Sequence, residues 1–192
     1  IAGLVISGQA EIWQLVVLTA LQGTASSISF PAMASVLPQL VPRGQLAISN
    51  APEAAREERE RGTLFRFATT KPLPTYLVAL AVGDLEIRTA KERSHPQIRL
   101  VTTRGKSALG DLALEDTSAL VDILARYVGV PYPYEKLDIV AVPEFAAGAM
   151  ENAGLVTFRE ELLLVDPAHV SARTRRNQAA TIAHELAHQW FG

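Results

Sequence analysis

Two histidines stand four residues apart near the end of the chain, in His184-Glu185-Leu186-Ala187-His188. On a helix this spacing puts both imidazoles on one face, one turn apart, where they can reach one ion. Zinc is the natural occupant. Imidazole suits it, and it accepts a tetrahedral site with one position left open to water. Glu185, beside the first ligand, is then placed to take a proton from the water that such a metal activates. The competing reading is a surface helix that carries two histidines by accident.

A second stretch lies upstream: Gly148, Ala149, Met150, Glu151 and Asn152. Together the two stretches resemble the gluzincin aminopeptidases of the M1 type, whose signatures are a Gly-Ala-Met-Glu-Asn segment and a His-Glu-x-x-His helix in this order. The segments Lys136-Leu137-Asp138, Pro143-Glu144-Phe145 and Thr157-Phe158-Arg159-Glu160 are similar to that family as well. The resemblance extends over residues 47–192. It implies one Zn2+ ion with His184 and His188 as metal ligands, Glu185 as the catalytic general base, and Gly148, Ala149, Met150, Glu151 and Asn152 as the substrate-binding segment. Within that segment Glu151 would hold the substrate's α-ammonium group. Substrates would be peptides with a free N-terminus, cut at their first bond. The family's third zinc ligand is a glutamate further downstream, and only Gln189, Trp190, Phe191 and Gly192 follow His188 here. That ligand, and the family's tyrosine that stabilises the tetrahedral intermediate, are expected to be missing from this chain, which should therefore be inactive alone. Read without the resemblance, Glu151 is as readily a loop carboxylate facing water. His95 lies in a polar loop before Pro96 and His169 in the turn that Asp166-Pro167 punctuates, and both read as surface residues.

The first part of the chain has a different character. No charged residue occurs between Ile12 and Pro42. Residues 12–30 are about as long as a bilayer-crossing helix, which needs roughly 20 apolar residues. A buried soluble helix is the alternative, and Pro31 and Pro38 would break it. A signal peptide would need a basic segment before the apolar run, and none is present. Glu11 to Leu46 weakly resembles a segment of a major-facilitator transporter. Two further functions therefore stand beside the peptidase. One is a membrane transporter fragment joined to an inactive peptidase-like tail; the other is a non-catalytic zinc- or peptide-binding module. Localisation stays open: cytoplasmic or exported for the peptidase part, membrane if residues 12–30 are native to it.

Elements must position these groups. The formal net charge of −2 gives no reason to expect nucleic acid, and the absence of cysteine excludes disulfides and thiolate ligands. Arg56 to Arg61 reads as a solvated hairpin tip or loop, and Thr63 to Thr70 as a strand. Tyr76 to Val82, a continuous apolar run, reads as a buried strand, with further strands over 86–88 and 97–103. Leu112 to Val128 has helical spacing, with Leu120, Ile123, Leu124 and Tyr127 on one side, and Gly129 with Pro131 stops it. Strands follow over 137–142 and 155–158. Ser171 is placed to cap a long last helix, with Asn177, Thr181, His184 and His188 along one face. Ala179, Ala183, Leu186, Ala187 and Trp190 offer a face for burial. The expected fold is α+β: the end of a β-rich N-terminal domain, then the first half of a thermolysin-like catalytic domain, preceded by an apolar helical segment. The expected boundaries are 1–43 for the apolar, membrane-candidate segment, 44–86 for the last strands of the β domain, and 87–192 for the truncated catalytic part.

Overall fold

The computed structural model describes residues 44–91 and 96–191, together with Glu11, Trp13, Gln14 and Val17. The chain divides into two compact units, residues 1–38 and 39–192. In the first, the Glu11 N–H donates to Gln14 Oε1 (3.0 Å) and the Trp13 indole donates to Glu11 Oε2 (2.6 Å). The expected membrane segment over 12–30 lies otherwise outside the described residues, as does His95. Among the described residues no helix is long and apolar enough to cross a membrane.

The second unit is built on a five-stranded sheet. Three parallel strands form its centre: β6 (Gln97–Thr103), β7 (Lys136–Val142) and β9 (Leu155–Arg159). β5 (Leu85–Thr89) pairs antiparallel with β6 on one side, and β8 (Ala149–Met150) antiparallel with β9 on the other. The central strands read as near-continuous apolar runs because both their faces are covered. One face carries Ile98, Leu100, Leu137, Ile139, Val156 and Phe158 into the main core. The other carries Val101, Val140 and Leu155 against Ile48 and Ala81. Helix α1 (Asp111–Val128) crosses between β6 and β7, and α2 (Ala172–Phe191) packs beside it. Two small antiparallel pairs come earlier in the chain: β1 (Leu46–Ser49) with β4 (Leu80–Gly83), and β2 (Glu53–Arg59) with β3 (Gly62–Phe67).

Several expectations change on contact with this fold. The charged run at 56–61 is a hairpin, but Arg56 to Arg59 lie in β2, paired with β3, and the turn is Glu60–Arg61. The apolar run 76–82 is not one buried strand. Thr75–Leu77 is a single 3-10 turn, the strand begins only at Leu80, and Tyr76, Val78 and Val82 are exposed. Asn50 explains the break: its side chain donates to Leu77 O (2.9 Å) and accepts from the Ala79 N–H (2.7 Å), satisfying main chain that a strand would have paired. In α1 the buried positions are Ala113, Leu114, Thr117 and Val121, whereas Ile123 and Tyr127 are exposed. The stop at Gly129 stands as expected, at φ +75° with its N–H bonded to Ala125 O.

Charge is buried at the centre of this sheet. Asp138 has no solvent exposure, and it faces Arg99 across the parallel register of β6 and β7. Arg99 donates to both carboxylate oxygens (2.6 and 2.8 Å), and Lys136 Nζ donates to Oδ2 (2.7 Å). Burial pulls the Lys136 ammonium below the usual lysine range, against the opposing pull of Asp138. Removing the carboxylate would leave two cations with no counter-charge. Asp138→Ala should therefore destabilise the unit by about 3–5 kcal/mol. Asp84→Ala, which opens the exposed pair with Arg104, should leave the urea midpoint unmoved. Equal midpoint shifts in the two variants would show that burial is not what gives Asp138 its weight.

Candidate metal and substrate site

Helix α2 brings the histidine pair to its last turns. Ser171 starts the helix as expected: its Oγ accepts the Thr174 N–H at 3.0 Å. His184 is exposed and His188 half-buried, on one face, with ring centroids 4.9 Å apart and planes at 82°. The buried side of α2 differs from the expected one. It is formed by Gln178, Ile182, Glu185, Leu186 and Gln189, while Ala179, Ala183, Ala187 and Trp190 are half-buried. Polar side chains thus occupy part of the buried stripe. Gln178 is buried with its Nε2 donating to Leu163 O (2.7 Å), while its Oε1 is buried without a partner among the described residues.

Glu185 is therefore a buried carboxyl beside two imidazoles. Burial pushes it above the ordinary glutamate range, and the Glu151 carboxylate pushes it the same way, while His184 and His188 oppose both. The upstream segment meets the helix directly, where Gln189 Nε2 donates to Glu151 O (3.0 Å). A carboxylate made less acidic is a stronger base, which suits proton abstraction. The two imidazoles fit two positions of a zinc shell. Among the described residues no group of three or more His, Cys, Asp or Glu side chains is arranged to hold a metal ion.

The upstream segment is held in place by main-chain bonds. Arg159, on β9, donates to the carbonyls of Phe145 (2.9 Å), Ala146 (2.7 Å) and Ala147 (3.2 Å), and its own N–H donates to Gly148 O (2.8 Å). These bonds turn the chain so that Gly148 to Met150 reach β8, at the edge of the sheet. Ala149 packs toward the core. Asn152 is buried; its side chain donates to Leu77 O (3.4 Å) and accepts from the Thr157 hydroxyl (3.0 Å). Glu151 is half-buried between β8 and that anchor. Beyond it Gly154 adopts φ +68°, and a Cβ there would stand 3.0 Å from Asn50 O and 3.3 Å from Lys136 O. The fold thus places His184, Glu185 and His188 on one helix, Gly148 to Asn152 on the facing edge, and His169 in an exposed pair with Asp166.

Residues 112–192 match the peptidase family M1 domain. Over these residues the chain is similar to the M1 peptidases. Over 154 residues the chain is 44% identical to aminopeptidase M1-A of Oryza sativa subsp. japonica, covering 79% of this chain and 17% of that protein. It is 43% identical over 152 residues to probable aminopeptidase 1 of Sulfurisphaera tokodaii, covering 79% of this chain and 19% of that one. Puromycin-sensitive aminopeptidase of Caenorhabditis elegans is 44% identical over 126 residues, 66% of this chain and 13% of that protein. The chain thus spans less than a fifth of the length of these curated relatives. The M1 match includes both the histidine helix and the Gly148–Asn152 edge. Arg159 and Lys136, which hold that edge, lie in segments already similar to the family in sequence, whereas Gly154 and Gln189 stand outside every motif and are brought to it by the fold.

The return at Gly154 should be intolerant of a side chain. Gly129→Ala meets no atom within 4 Å and should lose about 1–2 kcal/mol from its left-handed conformation alone. Gly154→Ala adds two close carbonyl contacts and should destabilise more, as read from urea midpoints. A smaller loss at Gly154 than at Gly129 would mean the loop gives way easily.

Proposed function

We propose that the chain carries the metal-binding helix and the amine-binding segment of a zinc aminopeptidase that hydrolyses the N-terminal bond of peptides. One observation supports this above the others: His184, Glu185 and His188 share one helical turn and a half, and the same helix bonds the main chain of Glu151 through Gln189. The names of the relatives point the same way, and the transporter reading is not favoured by them. His184 and His188 would hold the ion. Bound zinc would supply Lewis-acid polarisation of water and of the scissile carbonyl.

The chain's own residues supply the rest. Glu185 removes the proton from the attacking water and later delivers it to the departing amine. Its burial keeps that proton inside the site. Glu151 accepts the substrate's α-ammonium as a charge-assisted hydrogen bond, which sets the first residue of the peptide and excludes longer N-terminal extensions. β8 is paired with β9, and an extended peptide can be added along such an edge through main-chain bonds. The small side chains of Gly148 and Ala149 let it approach closely. In this reading residues 44–86 are the end of a β-rich domain and 87–192 the first part of the catalytic domain. A catalytic zinc takes three protein ligands, and the described residues group fewer. Because the resembling family draws its third ligand from beyond the second histidine, we infer that the 192-residue chain by itself turns over slowly.

Hydrolysis of leucine and alanine anilides decides the matter. The 192-residue chain with added zinc should be slow, and a chain extended by downstream sequence should be fast. In the extended chain Glu185→Gln should lower kcat by at least about 10²-fold, as expected for loss of a general base. Glu151→Ala should remove most of the preference for a free over an acetylated N-terminus. His188→Ala should reduce bound zinc. Equal cleavage of free and acetylated peptides by the unsubstituted enzyme would overturn the role given to Glu151, and equal zinc after His188→Ala would overturn the ligand pair.

A further inference from the structure

Gln189 follows His188 directly. Consecutive residues of an α-helix point about 100° apart, so the histidine can face the site while its neighbour faces inward. Gln189 is buried, and its carboxamide is satisfied on both sides. Oε1 accepts the Gly154 N–H (3.0 Å) and the Tyr132 hydroxyl (3.1 Å), and Nε2 donates to Glu151 O (3.0 Å). Burial raises the Tyr132 phenol well above its ordinary range, so it keeps its proton and remains a donor. The partners fix the amide's orientation. Turned over, it would set oxygen against the Glu151 carbonyl and N–H against the Gly154 N–H.

The same short return is pinned from elsewhere. Asn50 Nδ2 donates to Ala153 O (2.8 Å), and Lys136 Nζ donates to Gly154 O (2.9 Å). Those bonds fix the return to the sheet and to the segment after β1. Gln189 fixes it to α2. We propose that Gln189 is a positioning residue: through Glu151 O and the Gly154 N–H it sets where the Gly148–Asn152 edge stands relative to the His184–His188 face. A turn of one helix thereby carries a histidine and the brace that spaces it from the opposite wall. Glutamine is required because the brace must accept from one main-chain group and donate to another. Glutamate can only accept, and methionine does neither.

The test needs no turnover. The chain has no cysteine, so Met150→Cys on β8 and Ala180→Cys on the exposed side of α2 take spin labels at those positions alone. In the full chain their distance distribution should be narrow. Gln189→Met should broaden or shift it and speed Gly154 amide exchange at least tenfold, with β7 amides such as Ile139 and Val140 unchanged. Gln189→Glu, measured at a pH where the introduced carboxyl is ionised, should keep Gly154 protected yet still shift the distribution, because an oxygen without a proton then faces Glu151 O. Tyr132→Phe, which removes the hydroxyl alone, should leave the distribution as it was. An unshifted distribution in both Gln189 variants would overturn the proposal. So would loss of β7 protection in both, which would make Gln189 a support of the whole fold and not a local brace. The consequence for substrates rests on the aminopeptidase reading. A shifted distribution alongside equal cleavage of free and acetylated peptides would uphold the brace and sink only the role of Glu151.

Discussion

Asp138 lies fully buried in the middle strand of the sheet, where a lone carboxylate would be very unfavourable. It is tolerated because Arg99 comes from β6 in register with it and Lys136 stands two residues away on the same strand face. The arrangement has a direction. Lys136 reaches past Asp138 to the carbonyl of Gly154, at the end of the segment that carries Glu151. The ion cluster therefore does more than neutralise itself: it fixes the place where the chain returns from the sheet edge to β9. If Asp138 were neutral, Lys136 would lose the partner that keeps it charged and aimed. The position of the Gly148–Asn152 segment depends on charge two strands from the sheet edge.

From that anchor the rest of the site follows by short links. Gly154 must turn through φ +68°, and the nearby Asn50 and Lys136 carbonyls leave no room for a side chain. On the far side of Glu151, Arg159 gathers three successive carbonyls. The edge strand β8 is thus short and rigid at both ends. The helix bearing the histidines meets it through Gln189, while the Trp190 indole donates to the carbonyls of Val130 and Pro131 and holds the helix end against the turn after α1.

Much of this was legible in the sequence. The central strands announce themselves as apolar runs, Gly129 stops α1, Ser171 caps α2, and the two motifs stand out by residue type and spacing. The buried faces of both helices were less legible, for a common reason. Counting apolar residues assigns burial by type, yet Thr117 is buried in α1 with its hydroxyl turned back to Ala113 O (2.6 Å), and so behaves as a small apolar residue. In α2 the buried stripe includes two glutamines and Glu185, each with a partner or a task. Exposed Ile123 and Tyr127 misled in the opposite direction. The run at 76–82 failed because one side chain, Asn50, satisfies its main chain from a distance of many residues, which no local pattern reveals.

That failure and the burial of Gln189 have the same physical content. A buried amide side chain can replace a strand partner, offering one donor and one acceptor to main chain that would otherwise lack them. Asn50 does so between Leu77, Ala79 and Ala153, and Gln189 does so between Glu151, Gly154 and Tyr132. Both act on the same stretch, Glu151 to Gly154, from opposite directions. That stretch does not run as a regular strand, and its carbonyls and N–H groups find side-chain partners instead of a neighbour strand. Two amides allow the irregular path to stay buried with its polar groups paired. The residues that look least chemical in the two motifs' surroundings are thus the ones that let the chemical residues face each other.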